Sequence, residues 1–123
     1  MLRNKRDINA INHIIEYCDD IAKAVNDFGK DISIFENNKI YKNAVSMCIL
    51  QIGELVGILS DDLKTENNDV AWKEIRGMRN VIVHDYGNVR LDVTWETVIN
   101  DIPLLKEQCV KIIADSAEEK EDK

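Results

Sequence analysis

A chain of 123 residues with 45% hydrophobic and 32% charged side chains, five Gly and one Pro has the balance of one folded, helix-rich domain and is too short for two independent cores. Its formal charge of -7 excludes a protein that coats nucleic acid by bulk electrostatics, so a polyanion has to be held locally. No apolar run approaches the roughly 20 residues of a membrane span, and MLRNKRDINA lacks the apolar core of a signal peptide, which predicts a cytoplasmic protein.

Ile8, Ile11, Ile15, Cys18, Ala22 and Val25 follow a three-four spacing, widened by Ile14, Ile21 and Phe28, and predict a first helix that stops at Gly29. Ser33-x-x-Glu36 is a capping-box pattern and marks a new helical start. A second helix is expected from about Asn38 to Leu59, with Tyr41, Val45, Cys48, Ile52 and Val56 among its apolar positions. Gly53 and Gly57 lie inside it on one face. An interior glycine costs about 1 kcal/mol relative to alanine, so the pair either marks a close approach by another backbone or is simply tolerated.

SDDLKTENND reads as a loop, with Asn68 or Asp69 available to cap a third helix whose stripe is Ala71, Ile75, Met78 and Ile82, ending at Gly87-Asn88. A fourth helix opens near Asp92 and carries Trp95, Val98, Ile102, Leu105, Cys109 and Ile112, with Pro103 expected to kink or restart it. These four amphipathic helices predict an all-α, antiparallel four-helix bundle occupying residues 1–114, and DSAEEKEDK predicts a flexible acidic tail over 115–123.

Cys18, Cys48 and Cys109 lie in apolar helical patterns without CxxC spacing and read as reduced core thiols. His13 and Glu16 form an i, i+3 pair, but a carboxylate-bridged centre needs that motif twice with further glutamates, and the chain has two histidines. No metal and no cofactor are expected.

RNVIVHDY, residues 79–86, concentrates polar chemistry around a short apolar run, within a segment where Lys73, Arg76, Arg79 and Arg90 reverse the acidic balance. On a regular helix Arg79 lies about 40° and Tyr86 about 20° from Ile75, whereas His84 lies about 180° away. Arg79 and His84 are then about 140° apart, so either the last turn loosens and swings His84 round, or a second copy of the chain completes a shared cleft in a symmetric dimer. Such a pair suits metal-free phosphodiester chemistry. The guanidinium binds non-bridging oxygens, and the imidazole takes a proton from a 2′-hydroxyl or gives one to the leaving oxygen. A helix C-terminus and Asp85 both favour the charged imidazole. The spacing also fits a surface arginine with a capping histidine, and Tyr86 also fits an amphipathic residue closing the core. Asp85 is either a supporting neighbour of the pair or a solvated charge, and Arg76 and Arg90 are either RNA contacts or solvated charges. Glu54 lies off its helix's stripe, where a basic residue of the cleft or of a second subunit is within reach.

GMRNVIVHDYG closely resembles the Arg-x4-His-x-Tyr signature of the HepT-like branch of the HEPN superfamily, with Arg79, His84 and Tyr86 in place and the polar Asn80 after the arginine. LQIGELVGILS resembles the family's Ile-Gly-Glu segment, AWKEIRGMRN its approach to the motif, and VTWETVINDIPLL the Trp and Pro pattern of its last helix. The resemblance implies a HEPN-like homodimer and a metal-independent RNase, with Arg79 and His84 catalytic and Asn80 supporting them. It further implies the toxin half of a toxin-antitoxin pair, silenced when a cognate minimal nucleotidyltransferase transfers AMP to Tyr86. The alternative is a non-catalytic subunit that binds nucleotide or substrate for that nucleotidyltransferase.

Overall fold

The structure, a computed structural model, describes residues 4–85 and 91–121, and the side chains of all of these but 81–85, 91 and 118–121. The described residues contain seven α-helices and one π-helical segment, with no strand: α1 (Lys5–Phe28), α2 (Ile32–Asn37), α3 (Lys39–Ile58), α4 (Asp61–Glu66), α5 (Trp72–Asp85), α6 (Leu91–Glu96), the π segment (Thr97–Asp101) and α7 (Ile102–Glu121). The fold is all-α, and none of its described helices is long and apolar enough to cross a membrane.

Each start has a local cause. Asn4 caps α1 by accepting from the Asp7 amide at 2.7 Å and donating to the Asp7 carboxylate at 3.1 Å, so two polar ends satisfy each other. The helix buries Asp7, Ala10, Ile11, Ile14, Cys18 and Ile21, which turns its core face slightly from the expected stripe and leaves Ala22 exposed. It ends at Gly29, whose φ of 130° an L side chain rarely adopts and whose amide bonds the Val25 carbonyl. Asp31, not Ser33, caps α2, because its carboxylate reaches the Ser33 amide at 2.7 Å. Asn38 caps α3 through the Tyr41 amide, and Leu59 follows its last turn.

The expected loop after α3 contains α4. Ser60 caps it through the Leu63 amide, Asp61 and Asp62 suit the positive end of the helix dipole, and Leu63 is its single buried anchor. α5 begins at Trp72, later than a cap at Asn68 or Asp69 implies, with the Trp72 indole donating to the Asn67 carbonyl at 3.0 Å. The expected fourth helix is divided into α6, the π segment and α7. The Ile102 amide reaches back to the Thr97 carbonyl, a five-residue step that widens the helix just before Pro103, which has no N–H to give and whose ring crowds the preceding turn. α7 continues to Glu121 and buries Ser116, beyond residue 114.

α3 packs against both α1 and α5, and α1 packs also against α7. Two ties fix the α1–α3 pair. At one end both Asp7 oxygens accept from Ser60, one from its amide at 2.9 Å and the other from its hydroxyl at 2.6 Å. At the other the Tyr41 hydroxyl donates to the Gly29 carbonyl at 3.0 Å. The start of α1 thus meets the end of α3 and the reverse, so the two run antiparallel. Phe35, Tyr41 and Trp95 close the core beside the second tie, with the Phe35 and Trp95 rings 5.3 Å apart.

Candidate functional site

Trp72 is buried and Ile75 and Met78 pack against the core, so α5 is anchored along one side. Arg76 and Arg79, three residues apart, fall on the neighbouring edge that faces α3. What receives them there is the glycine pair. A Cβ placed on Gly53 would overlap the Cβ of Arg79 and stand 3.4 Å from its Cα, and one on Gly57 would overlap the guanidinium of Arg76. At Gly53 the close approach is therefore by the base of a side chain, whereas at Gly57 it is by the end of one. The order of contacts, Arg76 by Gly57 and Arg79 by Gly53, shows that α3 and α5 run antiparallel.

The heads of both arginines are held as well. Arg76 Nη1 donates to the Gly53 carbonyl at 2.8 Å, an unusual acceptor because that oxygen lies within a helix. Arg79 Nε donates to Glu54 Oε1 in an ion pair, and its Nη1 donates to Asn80 Oδ1 at 3.1 Å. The Arg79 and Glu54 side chains are 33% and 47% exposed, so the pair sits at the surface and is partly reached by solvent. Arg76 and Asn80 are exposed. The structure thus brings Arg76, Arg79, Asn80 and Glu54 together over the glycines.

His84 and Asp85 belong to the helical backbone of α5, while their side chains lie outside the described residues, as do Tyr86 and Arg90 altogether. The α-helix is continuous from Trp72 to Asp85, so the loosened last turn allowed by the sequence is not present as far as Asp85. The Arg76 bond to the Gly53 carbonyl was not foreseen. Its signal in the sequence is a pair of glycines four apart and a pair of arginines three apart, on helices that turn out to be neighbours.

Other polar and reactive groups do not join this edge. A cavity of about 150 Å³, lined by Ile49, Ile52, Ile75, Met78, Ile102 and Leu105 among others, touches neither arginine. Burial pushes the Cys18 and Cys109 thiols up to about 12 and the Cys48 thiol up to about 11, with nearby acidic groups adding to the effect at Cys18 and Cys48, so these are poor nucleophiles near neutral pH. His13 is exposed and lies 3.3 Å from Glu16, and among the described residues no group of three or more His, Cys, Asp or Glu is placed to hold a metal.

A family model described as ribonuclease HepT-like matches residues 10–112. Two proteins of Methanocaldococcus jannaschii, each named a "putative RNase", are similar to the chain: one is 38% identical over 93% of this chain and 97% of its own length, the other 39% identical over 90% and 91%. A "probable ribonuclease HepT" of Thermococcus cleftensis is 32% identical over 79% of this chain and 93% of its own. No solved structure matches the chain significantly.

Proposed function

The chain belongs to the HepT-like ribonuclease family of the HEPN superfamily, and from that premise we propose that it is a metal-independent endoribonuclease in which Arg79 and His84 cleave RNA phosphodiesters. The observation that supports this most is the seating of Arg79, packed on Gly53 and bonded to Glu54 and Asn80 while partly open to solvent. An arginine held in this way presents fixed charge to the non-bridging oxygens as negative charge grows on them. His84 moves the protons: the 2′-oxygen attacks phosphorus, the bond to the leaving 5′-oxygen breaks, and the proton lost by the 2′-hydroxyl is matched by one delivered to that oxygen. Asn80 supports Arg79, Asp85 favours the protonated imidazole, and Arg76 and Arg90 hold flanking phosphates.

Five positions along a continuous helix separate Arg79 and His84 by about 140°, which favours a homodimer whose two copies of α5 face one cleft. In the cell the chain acts as a toxin, and its partner is a minimal nucleotidyltransferase antitoxin. The phenol oxygen of Tyr86, giving up its proton to solvent, attacks the α-phosphorus of ATP, pyrophosphate leaves, and the added phosphate repels RNA from the cleft.

Purified chain free of its partner is expected to cleave RNA in excess EDTA, and His84→Ala to lose that cleavage. If wild type and variant are equally inert while nucleotide still binds, the chain is a non-catalytic subunit instead. Co-expression with the nucleotidyltransferase is expected to raise the intact mass by whole adenylyl groups on wild type and by none on Tyr86→Phe.

A further inference from the structure

Among the described residues Glu54 is the acid paired with an arginine of α5, and neither the family match nor the cleavage chemistry assigns it a role. Resting on the ribonuclease reading, we propose that Glu54 is a positioning residue, which grips Arg79 by Nε and thereby aims the outer edge of its guanidinium at the scissile phosphate. Gly53 and Glu54 act as consecutive halves of one seat. The missing side chain at Gly53 lets the base of Arg79 settle against α3, and the next residue catches its head.

The geometry distinguishes this role from a stabilising one. Both partners are partly exposed, so water screens the pair and its contribution to folding is small. An arginine head carries five N–H donors in a planar fork. The bonds to Glu54 and Asn80 engage one hydrogen on Nε and one on Nη1, leaving three that neither bond uses, all on the terminal nitrogens. Held at Nε and at one Nη1 hydrogen, the plane is fixed at two points, which restricts its rotation about the long stem. This fixes the orientation before the phosphate arrives, which is what a group needs if its charge is to act on the transition state without reorganising.

The chemistry also says which substitute should work. Glutamine keeps an oxygen acceptor of the same reach and loses the charge, whereas alanine loses both. Glu54→Ala is expected to lower kcat for RNA cleavage by about 10- to 100-fold, the scale of a misplaced catalytic group, with KM changing less than about threefold because the positive charge remains near the phosphate. Glu54→Gln is expected to recover most of kcat. In parallel, the Nε–H resonance of Arg79, assigned with Arg79→Lys, is expected to exchange slowly in wild type and Glu54→Gln and to broaden into fast exchange in Glu54→Ala. Full kcat in Glu54→Ala, equal damage in both variants, or faster cleavage in either would each overturn the proposal, the last marking Glu54 as a brake. A wild type that cuts no RNA defeats the ribonuclease reading by itself. The resonance then still decides the grip, because an Arg79 signal unchanged in Glu54→Ala refutes it without reference to activity.

Discussion

Adding a single methyl group at residue 53 acts where the base of Arg79 packs against α3. Alanine in place of an interior helical glycine gains about 1 kcal/mol from helix propensity. Against that, the new Cβ would overlap the Cβ of Arg79, a carbon fixed to the backbone that no rotamer change removes, so α5 itself has to shift. Forcing a methyl into a packed contact costs about 1–3 kcal/mol, which leaves Gly53→Ala destabilised by about 1 kcal/mol and melting about 3–6 °C below wild type. Gly57→Ala is the matched control. Its Cβ meets only the guanidinium of Arg76, the far end of a flexible exposed side chain that can swing aside, so the propensity gain survives and offsets the lost Arg76 bond. This variant is expected to melt within about 2 °C of wild type or above it. Thermal unfolding followed by circular dichroism separates the two, and RNA cleavage should fall in Gly53→Ala as Arg79 is displaced. If Gly53→Ala melts as high as Gly57→Ala and cleaves as wild type does, the seat of Arg79 on Gly53 described above is wrong.

A cleft shared between copies makes a sharper demand than dimerisation alone. Arg79→Ala and His84→Ala, each inert, should regain about a quarter of wild-type cleavage when unfolded and refolded together, since about half the dimers are mixed and each of those restores one of two sites; no recovery would place both residues of a site in one copy. Asp7→Ala should cost about 1–3 kcal/mol in denaturant titrations, because the Ser60 amide and hydroxyl lose a buried acceptor, and a loss below a few tenths would mean that water replaces the carboxylate. For alkaline stability, the Cys18 and Cys109 thiols are raised from 9.0 to about 12 in the folded chain. Their contribution is complete below pH 9 and declines from there towards 12, as the unfolded chain releases protons that the folded chain retains. Cys109→Ala should show a shallower fall with pH over that window, and an identical slope would count against the burial of this thiol.

Long apolar stripes made α1, α3 and the α6–α7 run legible in the sequence, because a period near 3.6 repeats often enough to stand out from its neighbours. Asn38 and Leu59, expected as the limits of the second helix, are the residues that flank α3. α4 was missed because six residues with one buried side chain, Leu63, show no period. The π segment was also out of reach, since proline announces a disturbance but not whether the helix breaks, bends or widens. At the candidate site, helical arithmetic placed Arg79 at the margin of the core, and the structure finds it half-buried on Gly53. The partner of Glu54 stayed open, since pairing residues 25 apart depends on the register of two helices and not on either one. The side chains of His84 and Asp85, with Tyr86 and Arg90, lie outside the described residues, so the roles of His84 and Tyr86 continue to rest on the motif and those of Asp85 and Arg90 on their charge and position in the sequence.

The two ties between α1 and α3, Asp7 to Ser60 and Tyr41 to Gly29, act as a ruler for the arginines. A slip of α3 by one residue along α1 would move it about 1.5 Å and turn it about 100°, breaking both ties together and carrying Ile52 or Glu54 under Arg79 where no side chain fits. The place where Arg79 rests on α3 is therefore set at the far ends of α1 and α3, and Asp7, a long way along the chain from the motif, helps to fix it.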